Sequence, residues 1–181
     1  TDITGMDLSS AVALIKGEKG TQVKLTVLRD KETLTFSIIR DEITTPTVDY
    51  QMLDDSIGYI QISQFDEVTT EQFKSALTDL KNQGLKGLIV DIRDNPGGML
   101  NVVVNIADEI ISKGLIVYTD DVGGNRKEYK GTSESEVTVP MAVIVNGNSA
   151  SASEIFAGAI QDYGKAKIVG TQTYGKGIVQ T

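Results

Sequence analysis

The sequence predicts an α/β fold for most of the chain, with a small α+β unit in front of it. Short apolar runs alternate with segments of helical periodicity, which is typical of parallel strands joined by crossover helices. Two of the runs, 87–92 and 141–145, are almost continuously apolar, as strands buried on both faces are. The polar segment 41–55, which contains Pro46, predicts a linker between the two parts.

The first part carries one predicted helix and one predicted hairpin. Apolar residues at helical spacing predict a helix over 8–15, with Asp7 or Ser9 as its N-cap. Two β-rich runs, 23–28 and 34–39, flank a short polar turn and predict the hairpin. A helix and a hairpin in about 40 residues bury too little surface to be stable alone.

The second part predicts five strands and three helices. Polar residues 121–136 interrupt this pattern and predict a surface excursion. The predicted strands are 57–62, 87–92, 115–118, 141–145 and 167–169, and the predicted helices are 70–83, 100–113 and 151–163.

The composition excludes several classes of function. The 181 residues include no His and no Cys, so a Ser-His-Asp triad, a His or Cys metal site, a disulfide and a cysteine nucleophile are excluded. Seventeen Lys and Arg against 25 Asp and Glu give a net charge of −8, which argues against nucleic acid as a partner because phosphate binding needs a basic surface. A hydroxyl nucleophile in this chain would have to be activated by Lys, Asp or Glu.

A pair of glycines closes the segment 91–98, Asp-Ile-Arg-Asp-Asn-Pro-Gly-Gly, which follows a predicted strand. Adjacent glycines let backbone N–H groups face outward in conformations that other residues avoid, and such a pair could hold an anion or oxyanion. The alternative is an ordinary strand-to-helix turn with Pro and Gly as its breaking residues, which the local pattern alone favours.

Three serines precede the last predicted helix, in the segment 146–154. A Ser at a helix start lies near the positive end of the helix dipole, and the N–H after it can stabilise an oxyanion. The spacing of Ser151 and Glu154 also fits a capping box, in which Ser151 is only a helix cap. The local pattern does not choose among Ser149, Ser151 and Ser153.

Glycines flank Lys176 in the segment 174–180. A desolvated Lys without a counter-ion can become a neutral base, although a lone Lys in a Gly-rich turn is usually solvated. With His absent, Ser and a neutral Lys are the remaining well-attested pair for making a hydroxyl nucleophilic. A Ser-rich helix start, a Gly-flanked Lys and a Gly-Gly turn are the three parts that an acyl-transfer site requires.

These segments together resemble the C-terminal processing peptidases, the tail-specific serine proteases of bacteria. The resemblance covers nearly the whole chain in order. It implies a crotonase/ClpP-like β-spiral core over 44–181, truncated at its C-terminal end, behind the C-terminal part of a PDZ domain over 1–43. The blocks that carry it are 5–43, 57–65, 88–98, 148–154 and 169–180.

The resemblance implies a role for each matching residue. Ser151 is the expected nucleophile and Lys176 its general base, with Gln180 orienting the Lys. The N–H groups of Gly97 and Ala152 are the expected oxyanion donors.

Two more positions match the family with supporting roles. Asp162 matches an acidic position near the family's site, and Arg93 matches an Arg that we expect to be structural.

The implied function is that of a serine endopeptidase that cleaves protein substrates near their C-terminus with a Ser-Lys dyad and no cofactor or metal. The implied partners are protein or peptide C-termini. The implied location is extracytoplasmic, in the cell envelope or secreted, with a signal or membrane anchor expected upstream of Thr1; formation of homo-oligomers stays open. The alternatives are a non-catalytic peptide-binding scaffold with a resting or inactive site, and a crotonase-like acyl-CoA enzyme, which would not explain the Ser-Lys pair.

Overall fold

The computed structural model describes residues 1–133 and 137–178. Contacts divide the chain into two compact units, Thr1–Thr45 and Pro46–Thr181. No helix of the described residues combines the length and the apolar character needed to cross a bilayer.

The first unit contains the predicted helix and hairpin. Helix α1 spans Leu8–Ile15, and the N–H of Ser10 donates to Asp7 Oδ1 at 3.0 Å, so Asp7 is the cap. Strands β1 (Gln22–Arg29) and β2 (Glu32–Ile39) pair in antiparallel register along their whole length. No residue of this unit is buried.

The second unit is built on a mixed sheet with strand order β3-β4-β5-β8-β9. Strand β3 is antiparallel to β4, and the other pairs are parallel. A separate antiparallel pair, β6 and β7, follows α3. The elements are β3 (Val48–Leu53), β4 (Ile57–Ile62), α2 (Thr69–Asn82), β5 (Gly87–Asp91), α3 (Leu100–Ile111), β6 (Lys113–Asp120), β7 (Arg126–Thr132), β8 (Met141–Val145), α4 (Ala152–Asp162) and β9 (Lys167–Gly170).

The core lies between the central strands and helices α2, α3 and α4. Helix α3 contacts both α2 and α4. Phe65 and Phe156 pack with ring centroids 6.3 Å apart. Other fully buried side chains are Ile60, Ile62, Phe73, Leu80, Val90, Ile92, Ile106, Ile110, Val143 and Ile160.

The structure corrects the sequence prediction in two polar segments. Part of the predicted linker forms β3, because pairing with β4 satisfies its backbone and Val48 and Met52 pack against the core. Part of the predicted surface excursion forms β7, which pairs with β6. Helix α3 ends two residues before the predicted end, where Ser112 adopts φ 63°.

Candidate active site

A cavity of about 690 Å³ lies beyond the carboxyl ends of the parallel strands β4 and β5, at the start of α4. Loops at this edge of an α/β sheet are the usual place for a site. Among the residues that line it are Phe65 after β4, Gly98 after β5, Ser151 and Ala152 at the start of α4, and Lys176. The fold therefore brings three of the predicted site residues, Ser151, Ala152 and Lys176, to one cavity.

Ser151 has a strained backbone. Its φ of 55° and ψ of −114° lie outside the regions that L-residues normally adopt, at the N-cap of α4. Such a conformation costs about 1–3 kcal/mol and is found mainly at functional sites. A sharp, strained strand-to-helix turn is the way hydrolases expose a nucleophilic Ser, although this sequence lacks the G-x-S-x-G pattern.

The two neighbouring serines have buried structural partners. Ser149 Oγ donates to the carbonyl oxygen of Ile92 at 2.7 Å, and Ser153 Oγ donates to that of Asn95 at 2.9 Å. Both serines are fully buried, whereas Ser151 lines the cavity. The structure thus separates three serines that the local sequence pattern treats alike.

Ser151 and Glu154 also form the predicted capping box. The Glu154 half is the stronger one, since the N–H of Ser151 donates to Glu154 Oε2 at 2.9 Å. The N–H of Glu154 is directed at the Ser151 side chain. The hydrogen bond it donates is accepted by the Ser151 carbonyl oxygen, at 2.9 Å. Capping and cavity exposure therefore coexist at Ser151.

Asn95 organises the turn that contains the two glycines. Its side chain is fully buried; Nδ2 donates to the carbonyl oxygen of Ile62 at 2.9 Å, and Oδ1 accepts the N–H of Gly97 at 2.8 Å. Gly97 has φ 105°, and a Cβ there would come within 2.7 Å of the Ala150 carbonyl oxygen. Only glycine allows this approach to the Ser151 turn.

The geometry corrects one expected oxyanion donor. The N–H of Gly97 is occupied by Asn95 and is not available to a substrate. Gly98 is exposed on the cavity, and within the described residues its N–H has no acceptor; the same holds for the N–H of Ala152. The two N–H groups open to a ligand are thus those of Gly98 and Ala152.

Glu154 is an acidic residue beside the cavity that sequence reasoning identified only as a helix-capping partner. Glu154 connects the Ser151 turn with the segment that carries Lys176. The Lys176 side chain is half-buried. Its Oε1 accepts the Thr173 hydroxyl at 2.8 Å and the Gly175 N–H at 2.6 Å, and its Oε2 accepts the N–H groups of Ser151 at 2.9 Å and Lys176 at 2.8 Å.

These bonds keep the Glu154 carboxyl ionised. Burial alone would raise its pKa, but the hydrogen bonds from Gly175, Lys176, Thr173 and Ser151 outweigh burial, and the pKa lies below its usual range.

Arg93 forms an ion pair at the end of β5. Its guanidinium Nη2 lies 2.6 Å from Oδ2 of Asp91, whose side chain is fully buried, and the Tyr59 hydroxyl donates to the same oxygen at 2.7 Å. Burial alone would raise the pKa of Asp91, but the Arg93 and Tyr59 bonds lower it. These contacts support the structural role expected of Arg93, which does not line the cavity.

One expected site residue, Asp162, lies away from the cavity. Asp162 is the last residue of α4, about 16 Å along the helix from Ser151, and it is exposed and does not line the cavity. Gln180 lies outside the described residues. Among the described residues, no cluster of acidic side chains is arranged to hold a metal ion.

Comparison with known proteins identifies the family. The model of peptidase family S41 matches residues 56–181. The chain belongs to peptidase family S41. Carboxy-terminal processing protease CtpA of Bacillus subtilis strain 168 is 40% identical over 181 residues, which cover 99% of this chain and 39% of that protein. The carboxy-terminal-processing protease of Bartonella bacilliformis is 40% identical over 188 residues, covering 99% of this chain and 43% of that protein.

A solved structure supports the same assignment at the level of the fold. The photosystem II D1 C-terminal processing protease matches 100% of this chain and 51% of its own, with a TM-score of 0.68 and 32% identity. This S41 chain therefore spans about half or less of the length of these relatives. The α/β fold with a mixed sheet, built around the Ser151 cavity, is that of an S41 peptidase.

Proposed function

We propose that this chain carries the catalytic site of a C-terminal processing protease, a serine endopeptidase that cuts protein substrates near their C-terminus with a Ser-Lys dyad. The observation that carries the proposal is the strained turn at Ser151, which shares one cavity with Lys176 and with the open N–H groups of Gly98 and Ala152. A nucleophile, a base and a pair of oxyanion donors are the parts of an acyl-transfer site.

The reaction proceeds in two steps. The amine of Lys176, acting as general base, takes the proton of Ser151 Oγ, which attacks the peptide carbonyl, and the N–H groups of Gly98 and Ala152 donate to the oxyanion. Lys176 returns the proton to the leaving amine, and water then hydrolyses the acyl-enzyme by the reverse proton path. Gln180 remains our prediction for the group that orients Lys176.

The shape of the surface near Ser151 supports a polypeptide substrate. A second cavity of about 750 Å³ runs along the β6–β7 pair and shares Leu100, Lys127 and Tyr129 with the first. The two cavities are neighbours because they share these residues, and side by side they would suit an extended chain better than a compact ligand.

The enzyme function is favoured over the non-catalytic scaffold, since the named relatives are proteases and Ser151 and Lys176 are both present. The acyl-CoA alternative leaves the pairing of Ser151 with Lys176 unexplained. The PDZ identity of 1–43, the β-spiral core, the binding of substrate C-termini and the extracytoplasmic location are further parts of the proposal.

A fluorophosphonate probe tests the proposal on the full-length protein, because only an activated Ser reacts with it. We expect labelling at Ser151, none in Ser151→Ala, and labelling retained in Ser153→Ala. Ser151→Ala should also abolish proteolysis. A folded wild-type protein that is not labelled would favour the scaffold, and labelling at Ser153 would contradict the assignment of the nucleophile.

A further inference from the structure

We propose that Glu154 is a positioning residue of this site, whose carboxylate fixes the Lys176 backbone against the Ser151 turn. This proposal rests on the proposed Ser-Lys function and adds a residue to it. Its effect differs from that of a helix cap, because three of its four donors belong to another segment of the chain.

The segment 171–178 lacks regular secondary structure. The N–H of Tyr174 donates to the Ser149 carbonyl oxygen at 3.1 Å, and the donors of the next three bonds, at Thr173, Gly175 and Lys176, all meet Glu154. A coil of this kind has no ladder of its own to define where its side chains lie. The carboxylate therefore supplies much of the geometry that a strand or helix would supply elsewhere.

One oxygen atom links the two proposed catalytic residues. Oε2 of Glu154 lies 2.9 Å from the backbone nitrogen of Ser151 and 2.8 Å from that of Lys176. The two backbones are held to a common atom, so a shift of Glu154 changes the distance between nucleophile and base. Misplacement by about 1 Å can cost roughly 100-fold in rate.

An ionised carboxylate is the side chain that this position requires. It accepts at both oxygens and donates at neither, whereas an amide presents one oxygen and one NH₂ group. In Glu154→Gln the NH₂ group would face either the N–H groups of Ser151 and Lys176 or the donors at Thr173 and Gly175. One of the two pairs would lose its acceptor, although the side chain keeps its size.

Asp108 offers a matched control. It is also a carboxylate on a helix that accepts the N–H groups of a separate segment, those of Thr132 at 2.7 Å and Ser133 at 2.9 Å. It does not line the cavity. Both N–H groups meet Oδ1 of Asp108, so an amide oxygen can still accept them, and Asp108→Asn reports the effect of the same loss of charge away from the proposed chemistry.

The experiment compares Glu154→Gln with Asp108→Asn in the full-length protein, with peptide hydrolysis, fluorophosphonate labelling and thermal unfolding as measurements. We expect Glu154→Gln to lower kcat about 100-fold with KM nearly unchanged, to slow labelling of Ser151 similarly, and to alter the pH dependence of labelling. Asp108→Asn makes the same change of charge and should change these rates less than threefold. The positioning role would be overturned if kcat fell equally in the two variants. It would also be overturned if KM of Glu154→Gln changed by as large a factor as its kcat.

A second pair of variants keeps the test decisive if Glu154→Gln does not fold. Thr173→Val removes one donor to Glu154 with little change of shape, and Thr173→Ser retains the hydroxyl. We expect kcat to fall about fivefold in the Val variant and to stay near wild type in the Ser variant; equal kcat in both would contradict the proposal. If wild-type protein is labelled at Ser151 and these variants have the same kcat as wild type, the positioning role fails while the proposed function stands. If wild-type protein is not labelled, the proposed function itself is rejected.

Discussion

The two sides of the site are built differently. The nucleophile side, residues 95–98 and 149–153, is tied to the core by buried hydrogen bonds from Asn95, Ser149 and Ser153. The base side, residues 171–178, is a coil whose attachments include three bonds to Glu154 and a backbone bond from Tyr174 to Ser149. The fold thus preorganises the proposed nucleophile and oxyanion donors, while the base depends on local contacts that can be lost without unfolding the core.

The largest expected effect is on the base side. Lys176→Arg should lower kcat/KM by at least about 1,000-fold, because the guanidinium stays protonated and cannot take the proton of Ser151. Tm should stay near wild type, since the segment adds little to the core. Lys130→Arg, at an exposed Lys paired with Glu128, is the control and should keep its activity. Full activity in Lys176→Arg would remove Lys176 from the mechanism.

Gly98→Ala should break the nucleophile side. The φ of Gly98 is 145°, and a Cβ there would overlap the Phe65 carbonyl oxygen, so the turn has to move. Losing one oxyanion donor typically costs about 100- to 1,000-fold in kcat. Gly84→Ala controls for backbone strain, because Gly84 also has positive φ but open space around its Cβ position. Similar kcat values for the two variants would argue against Gly98 as a donor.

Asn95→Ala should lower the stability of the nucleophile side. It leaves the buried N–H of Gly97 without its acceptor and the Ile62 carbonyl oxygen without this donor. We expect the free energy of unfolding to fall by about 2–3 kcal/mol in urea titrations. Asn125→Ala removes an exposed bond to Asp121 and should cost under about 1 kcal/mol. Equal losses would show that the Asn95 network contributes no more than a surface turn.

Acid should lower the free energy of unfolding only well below neutral pH. Burial alone would raise the pKa values of Glu154 and Asp91, but their hydrogen bonds lower both, so the folded state favours the ionised forms. Their contribution to stability is complete above the unfolded pKa values of about 4 and is lost as pH falls through the lower folded values. Urea titrations should give constant stability from pH 7 to about 5 and a decline below about 4. A decline that starts near pH 6 would contradict this.

Much of the second unit could be predicted from its sequence because its strands and helices carry strong periodic patterns. The prediction 57–62 coincides with β4, and 151–163 differs from α4 by one residue at each end. Strand β3 was missed because only Val48 and Met52 pack against the core, too weak a pattern to mark a strand beside Pro46.

Only part of the site could be predicted: Ser151, Ala152 and Lys176 line one cavity, whereas Asp162 does not. Gly97 and Gly98 are equivalent in sequence, but in the structure the buried Asn95 side chain occupies the N–H of Gly97, which is itself buried, and leaves the N–H of the exposed Gly98 open. Glu154 had a local signal as a capping partner. Its bonds to Thr173 and Gly175 depend on how the chain returns after β9, which no local pattern encodes.

In the first unit, the local elements could be predicted but the packing of their apolar faces could not. Its helix and hairpin were predicted because each follows from a local pattern, yet large apolar side chains remain exposed, with Leu8 at 80%, Leu28 at 76% and Ile39 at 59%. Sequence periodicity predicts which face is apolar, but it does not say what covers that face.

The two open N–H groups at the cavity belong to the main chain, and this has a consequence for inhibitors. A boronate or phosphonate that bonds to Ser151 could place an anionic oxygen against Gly98 and Ala152. A substitution can remove a contacting side chain, but it leaves a backbone N–H in place unless the new residue is proline. Escape would require moving the turn itself, and that turn also carries the proposed nucleophile.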